Sequence, residues 1–451
     1  MPAADALPDH ADVVVVGAGL AGLATALHLE RAGRHVVVVE ASDAAGGRIR
    51  TDEVDGFLLD RGFQLYNPAY PEGRQMLDAV ELDLKSFERG AIVAGDSGRW
   101  RVADPRQHPT WVPDALRAGL GGPLGLLRLG WYGARCATSP PRRLATRTDV
   151  ATVEALQTAG ADDDLLDHLL APFLRGVFLE SDLATSRRFG DLILRSFVRG
   201  TPGVPARGMQ ALPMQLAAQV ADLHLNQPAL SVAPGYVRLT DAVIGARAVV
   251  VAVGPGVVAD LLPSLGRPET RSCTTWYHRP DQAPGDLSFG YPLLTVESAT
   301  SPIGPLVNSA VLTHAAPSYA PPGASLVSST ALDLHGSATD DVVRAQLAHL
   351  YGVDTSRWEL IARYEVADAL PAMLPPLQLR RPIDLGEGLF VAGDHRDTAS
   401  IQGALVSGRR AAAAVTAYLD GRRTPTSASA AASAGPPSAA ASSAGVAPRT
   451  G

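Results

Sequence analysis

Asp12 to Glu40 reads DVVVVGAGLAGLATALHLERAGRHVVVVE, and this stretch decides the fold. Asp12–Val16 is a run of valines that suits a strand covered on both faces. Leu20–Ala32 is apolar at helical spacing and stops at Gly33, a natural helix terminator. His35–Glu40 (HVVVVE) is a second buried strand. Strand, helix and strand in so short a span form a βαβ unit, which requires parallel pairing. Between the first strand and the helix lies Gly17-Ala18-Gly19-Leu20-Ala21-Gly22, a GxGxxG pattern. Gly17 permits the tight turn, Gly19 lets backbone approach a pyrophosphate, and Gly22 packs helix on strand. The helix N-terminus then faces the phosphate charge. Glu40 follows Gly22 by 18 residues. A carboxylate at that strand end binds ribose hydroxyls and disfavours a 2′-phosphate.

Working outward, Ala248–Val253 (AVVVAV) and Gly388–Ala392 (GLFVA) repeat the buried-strand pattern far downstream. One sheet assembled from distant pieces of chain is therefore expected. The material between differs. Glu88–Val102 reads as a hairpin, and residues 107–198 are mainly helical, with Val153–Phe173 broken at Gly160. Residues 272–332 read as several strands, Asp340–Tyr351 as a helix and Trp358–Val366 as a strand. The expected fold class is α/β: a Rossmann-like dinucleotide domain built from residues 11–66, 200–260 and 385–418. A mixed α/β substrate domain is inserted at 67–199 and 261–384. Residues 421–451 are Ala, Ser, Pro and Gly with hardly any apolar bulk, the composition of a disordered tail.

The totals restrict function. The 451 residues are 46% hydrophobic and 19% charged, enough for a large core, and the net charge of −7 gives no reason to expect nucleic acid. Cys136 and Cys273, the only cysteines, form neither a disulfide framework nor a metal site, so a reducing cytoplasm is the expectation. His35, His278 and His314 lack metal-ligand partners at recognisable spacing, and no metal is expected. Asp5, Pro8 and Asp9 stand where a secretory leader needs basic and apolar residues. The nearest approach to a membrane span, Leu116–Gly133, is broken by Arg117, Arg128 and several glycines. It reads as a substrate-domain helix or as an apolar lip resting on a membrane. Oligomeric state is not legible.

NAD and FAD share the fingerprint, and the next motif separates them. Ala41–Thr51 (ASDAAGGRIRT) places Gly46-Gly47-Arg48 just after Glu40. Two glycines bring backbone against a cofactor, and Arg48 offers a forked donor to phosphate oxygens. The strand, GAGLAGL, Glu40 and the GGR turn resemble the start of the FAD-dependent amine oxidase, protoporphyrinogen oxidase and carotenoid desaturase superfamily. Gly388–Ala412 (GLFVAGDHRDTASIQGALVSGRRAA) resembles its final flavin motif. The resemblance implies non-covalent FAD and assigns Gly393 and Asp394 to the pyrophosphate and ribityl chain. It assigns Ile401, Gln402, Gly403 and Ala404 to a helix start at the flavin's pyrimidine end, where positive dipole stabilises charge on reduced flavin. Gly17, Ala18, Gly19, Leu20, Ala21, Gly22, Glu40, Ala41, Gly46, Gly47 and Arg48 complete the implied cofactor set. Pro228-Ala229 resembles the segment touching adenine, and Arg207-Gly208-Met209 with Leu212 resembles the middle motif. Residues 100–200 and 260–370 carry little resemblance.

Within the superfamily, amine oxidases usually place a lysine near flavin N5. Lys85 is the only lysine here, in a segment that does not match and that suits a solvated side chain. ASIQGALVSG and Gly56–Tyr70 (GFLLDRGFQLYNPAY) resemble the desaturases more closely. The implied activity is an FAD-dependent oxidoreductase that dehydrogenates or desaturates an apolar, isoprenoid- or polyene-like small molecule. Alternatives are an amine or amino-acid oxidase, a porphyrinogen oxidase, a non-redox polyene isomerase and a prenyl-binding protein of the same fold. No catalytic residue is assigned. His395, Arg396 and Asp397 are candidates because that loop lines the flavin in this fold, and Arg61, Gln64 and Tyr66 are weaker ones. Peripheral contact with a membrane fits an apolar substrate.

Overall fold

The computed structural model describes residues 7–95, 98–103, 107–117, 122–298, 302–332 and 338–422. The expected disordered tail falls almost wholly outside them. Strand β1 (His10–Val16), helix α1 (Leu20–Arg31) and strand β2 (Val36–Val39) form the expected βαβ unit, with Val13↔Val36 through Val16↔Val39 paired in parallel. On its other edge β1 pairs in parallel with β3 (Val243–Val251), which pairs in parallel with β4 (Leu389–Val391). Start, middle and end of the chain thus meet in one eight-stranded sheet. Its inward valines, such as Val13, Val15, Val38 and Val250, are fully buried. Helix α2 (Ile401–Leu419) packs along α1. The two backbones touch at Gly408, where a Cβ would lie 2.4 Å from the Ala21 carbonyl oxygen.

A second, seven-stranded sheet draws only on residues 90–103 and 270–371. Its order is Glu359–Pro371, Thr270–Arg279, Val327–Ala331, Leu306–Val311, Leu294–Glu297, Gly90–Gly95 and Gly98–Ala103. Every pairing is antiparallel except Leu294–Glu297 with Gly90–Gly95. The hairpin, the strands and the helix Asp340–Tyr351 appear as the sequence suggests. The strand expected at Trp358–Val366 runs on to Pro371, because it pairs along the length of Thr270–Arg279. Over this sheet lie the helices Ala171–Phe178 and Arg187–Arg199, backed by Pro123–Thr138. The break at Gly160 is real: the helix Thr152–Thr158 ends just before it, and Gly160 has φ +94°.

Candidate active site

At the end of β1 the chain turns through Gly17 (φ +104°), and α1 begins at Leu20. No side chain caps α1, so its first amide groups point outward without helical partners. Gly22 has no alternative residue: a Cβ there would lie 1.9 Å from the Gly17 carbonyl oxygen. Gly19 is the opposite case, since a Cβ would meet nothing within 4 Å and would project into open space at the helix N-terminus. That space is a cradle for a phosphate group. Glu40, 8% exposed, closes β2. Its Oε2 accepts from the Ala18 amide at 2.7 Å and its Oε1 from the Ser42 amide at 2.9 Å. Each oxygen keeps a lone pair for a ribose hydroxyl. Gln227, Pro228 and Ala229 line the groove beside Glu40, the Gln227 amide donating to the Glu40 carbonyl at 2.8 Å. These residues fit a dinucleotide.

The GGR turn joins this groove to the C-terminal motif. Gly46 (φ +139°) donates to the Ala18 carbonyl at 3.0 Å. Arg48 was expected to face phosphate. Its Nη2 instead pairs with Asp394 Oδ1 at 2.6 Å and its Nη1 donates to the Ala369 carbonyl at 2.8 Å. It ties the two flavin motifs together across 346 residues. Gly393 donates to Ser407 Oγ at 2.8 Å, and Ser400 caps α2 by accepting from the Gly403 amide at 3.0 Å. Ile401 and Ala404 line the cavity beside this helix start. The Gln402 side chain turns away and accepts from the Glu72 amide at 3.0 Å, leaving only its backbone for a cofactor.

The candidate catalytic residues divide. Arg61 and Gln64 line the cavity. Arg61 is held by a bidentate pair with Asp52, both contacts 2.8 Å, and Gln64 donates to the Arg48 carbonyl at 3.1 Å. His395, Arg396, Asp397 and Tyr66 are not among the lining residues. Arg396 Nε donates to the Pro382 carbonyl at 3.0 Å, and Asp397 pairs with Arg410 at 3.1 Å. His395 is 1% exposed with no partner on either ring nitrogen among the described residues, and desolvation drives its pKa down to about 4. It is a neutral packing group against Gly393. Tyr66 is buried against Gly73. Lys85 pairs with Asp83 at 2.9 Å and lies outside the cavity. Gly208 and Met209 of the middle motif bind the protein's own hairpin, the Met209 amide donating to Asp60 Oδ1 at 2.9 Å.

The cavity runs unbroken from Glu40 past Asp394 into the space between the second sheet and its helices, with a volume of about 740 Å³. This inner chamber is walled by Phe173, Val177, Ile193, Phe197 and Leu294. Phe173 and Phe197 meet edge to face, with ring centroids 5.2 Å apart. Among the described residues the carboxylates in the lining are Glu40 and Asp394, and both are engaged at the nucleotide motifs. Polar residues of the lining beyond the nucleotide motifs include Asn308, Thr330, Cys273, Ser196, Asn67 and Tyr70. None of these walls was named from the sequence, because they sit on ordinary strands and helices without a spacing signature.

Comparison with known proteins agrees with this geometry. The profile described as flavin containing amine oxidoreductase matches residues 20–416. The chain belongs to this family. It is 32% identical over 245 residues to a phytoene dehydrogenase of Streptomyces griseus, covering 48% of this chain and 46% of that protein. It is 27% identical to a hydroxysqualene dehydroxylase of Rhodopseudomonas palustris over 90% of this chain and 98% of that one. A solved putrescine oxidase variant shares the fold with a TM-score of 0.67 at 19% identity, covering 90% of this chain and 99% of that chain. As a family member the protein is an FAD-dependent oxidoreductase. Bound flavin supplies a two-electron acceptor for a hydride equivalent from a substrate C–H bond. The residues that would hold it are the glycine turn at Gly17–Gly22 and Glu40, and the cavity continues from them into the largely apolar chamber. Among the described residues no helix is long and apolar enough to cross a membrane.

Proposed function

We propose that this enzyme dehydrogenates or desaturates an apolar, isoprenoid- or polyene-like substrate, using non-covalently held FAD. The observation that carries this is the chamber itself. Aromatic and aliphatic side chains wall it, and no carboxylate in it is available to receive an ammonium group. A cation there would lose hydration without gaining a counter-charge. Two of the three similar proteins named above, the phytoene dehydrogenase and the hydroxysqualene dehydroxylase, carry polyisoprenoids in their names, which supports the same class. The two cysteines are buried free thiols and neither lies in the Gly388–Ala412 flavin motif, in keeping with a flavin that no thioether holds.

Substrates of this kind reside in membranes, and the surface offers a means of reaching them. The helix Pro123–Thr138 turns Leu124, Leu127 and Trp131 outward, 58%, 70% and 61% exposed, at i, i+3 and i+7. Arg128 and Arg135 flank them, and the helix contains no acidic residue. Its inner side packs on Arg187–Arg199, which walls the chamber. An apolar stripe with basic flanks suits the interface of an anionic lipid leaflet, here the cytoplasmic face. Turnover tests the catalytic reading: incubation with linear polyisoprenoids and an artificial electron acceptor yields product with two hydrogens fewer. Turnover of amines with no isoprenoid product would refute it.

A further inference from the structure

Asn308 lies on the strand Leu306–Val311, where the chamber meets the second sheet. Its side chain is 5% exposed and lines the cavity, with no hydrogen-bond partner among the described residues. The overlying helix Ala171–Phe178 comes so close that a Cβ on Gly176 would lie 2.1 Å from Asn308 Nδ2. A glycine in the middle of a helix sacrifices stability, and here it makes room for a carboxamide that the protein itself leaves unsatisfied. Directly across the strand pair stands Thr330, in register with Asn308. Thr330 also lines the chamber, and its buried hydroxyl has no partner among the described residues. The Thr330 hydroxyl is buried without a partner and the neighbouring Asn308 carboxamide faces the cavity, an arrangement that a polar ligand atom would complete.

From this pairing we infer that Asn308, with Thr330 beside it, forms a polar subsite that binds one neutral oxygen function on an otherwise apolar substrate. A carboxamide both donates and accepts, so it suits a hydroxyl or a carbonyl. An ionised group is disfavoured, because the charged side chains in the described lining are already engaged, Arg61 with Asp52 and Arg48 with Asp394. The substrate is therefore an oxygen-bearing polyisoprenoid or a similar lipid rather than a bare hydrocarbon. This rests on the apolar-substrate reading above.

The test is a titration of FAD-loaded enzyme with a matched pair, geranylgeraniol and its parent hydrocarbon, followed by perturbation of the visible flavin spectrum. Wild type binds the alcohol at least about tenfold more tightly, the discrimination expected of a site built to hydrogen-bond its ligand. In Asn308→Leu, close in volume, that preference collapses while hydrocarbon affinity is kept or improved. Thr330→Val lowers the preference in part and provides a second variant should Asn308→Leu not fold. Equal affinity for the two probes in wild type, or a preference unchanged in both variants, overturns the subsite and leaves the apolar-substrate reading standing. If neither probe binds and an alkylamine does, the apolar-substrate reading fails and the subsite fails with it.

Discussion

Glu40 shows how one residue does two things. Its carboxylate holds the Ala18 and Ser42 amides and so fixes the glycine turn, and its remaining lone pairs are available to ribose. Charge-assisted hydrogen bonds of this kind contribute roughly 1.5–3 kcal/mol each. Glu40→Ala is expected to weaken FAD binding at least about tenfold in a titration of apoprotein, with circular dichroism unchanged. Unaltered affinity would remove Glu40 from the site. This residue was legible because its chemistry demands a fixed position after a strand. Arg48 was only half legible: the motif identified it, but its partner Asp394 is 346 residues away and nothing local points to it. His395 to Asp397 turned out to brace a loop, since Gly393 at φ +151° redirects the chain toward Pro382 and Arg410. Asn308 was invisible, because a single asparagine in a strand has no pattern to betray it.

At the scale of elements, periodicity served well where one face is buried and poorly where surroundings decide. Helix α1 was readable from apolar spacing and the glycine turn, and the start of α2 from the resemblance of the C-terminal motif. The extent of Glu359–Pro371 was not, because its pairing partner sets its length. The segment Leu116–Gly133 reads from sequence either as a buried element or as a membrane lip, and its described part falls mostly in the helix Pro123–Thr138, which has one buried and one exposed side. Tyr132 and Cys136 face inward, while Leu127 and Trp131 face out. Replacing Leu127 and Trp131 together by Glu is expected to abolish sedimentation with vesicles rich in phosphatidylserine. The flavin spectrum and melting temperature stay as in wild type, because both side chains are exposed. Vesicle binding that survives this double change would refute the membrane assignment.

At the scale of the molecule, the hairpin Thr51–Asp60 is fastened to the second sheet and the turn after it through Asp60, at the end of the strand Phe57–Asp60. Tyr277 Oη donates to its carbonyl at 2.7 Å, and Tyr319 Oη donates to its carboxylate at 3.0 Å. Burial raises the Asp60 pKa to about 6. The folded state therefore retains a proton that the unfolded chain releases, and the group's contribution to stability falls as pH rises toward 6 and beyond. Between pH 4 and pH 7 the loss is about 2 kcal/mol. Denaturation of FAD-saturated protein checks this: the difference in stability between Asp60→Asn and wild type shifts toward the variant by that amount over this range, and a constant difference would contradict it. The nucleotide sheet was legible because its glycines and valines are tied to a cofactor. The order of the second sheet was not, since the parallel pairing of Leu294–Glu297 with Gly90–Gly95 joins segments some two hundred residues apart that share no local signal. What both sheets enclose is one cavity, with a nucleotide groove at one end and an apolar chamber at the other. Anaerobic mixing of FAD-loaded enzyme with a panel of polyisoprenoids and diamines, with the visible flavin band recorded, tests that account most directly. The account predicts bleaching by a polyisoprenoid and none by putrescine; bleaching by putrescine with every polyisoprenoid inert would contradict it.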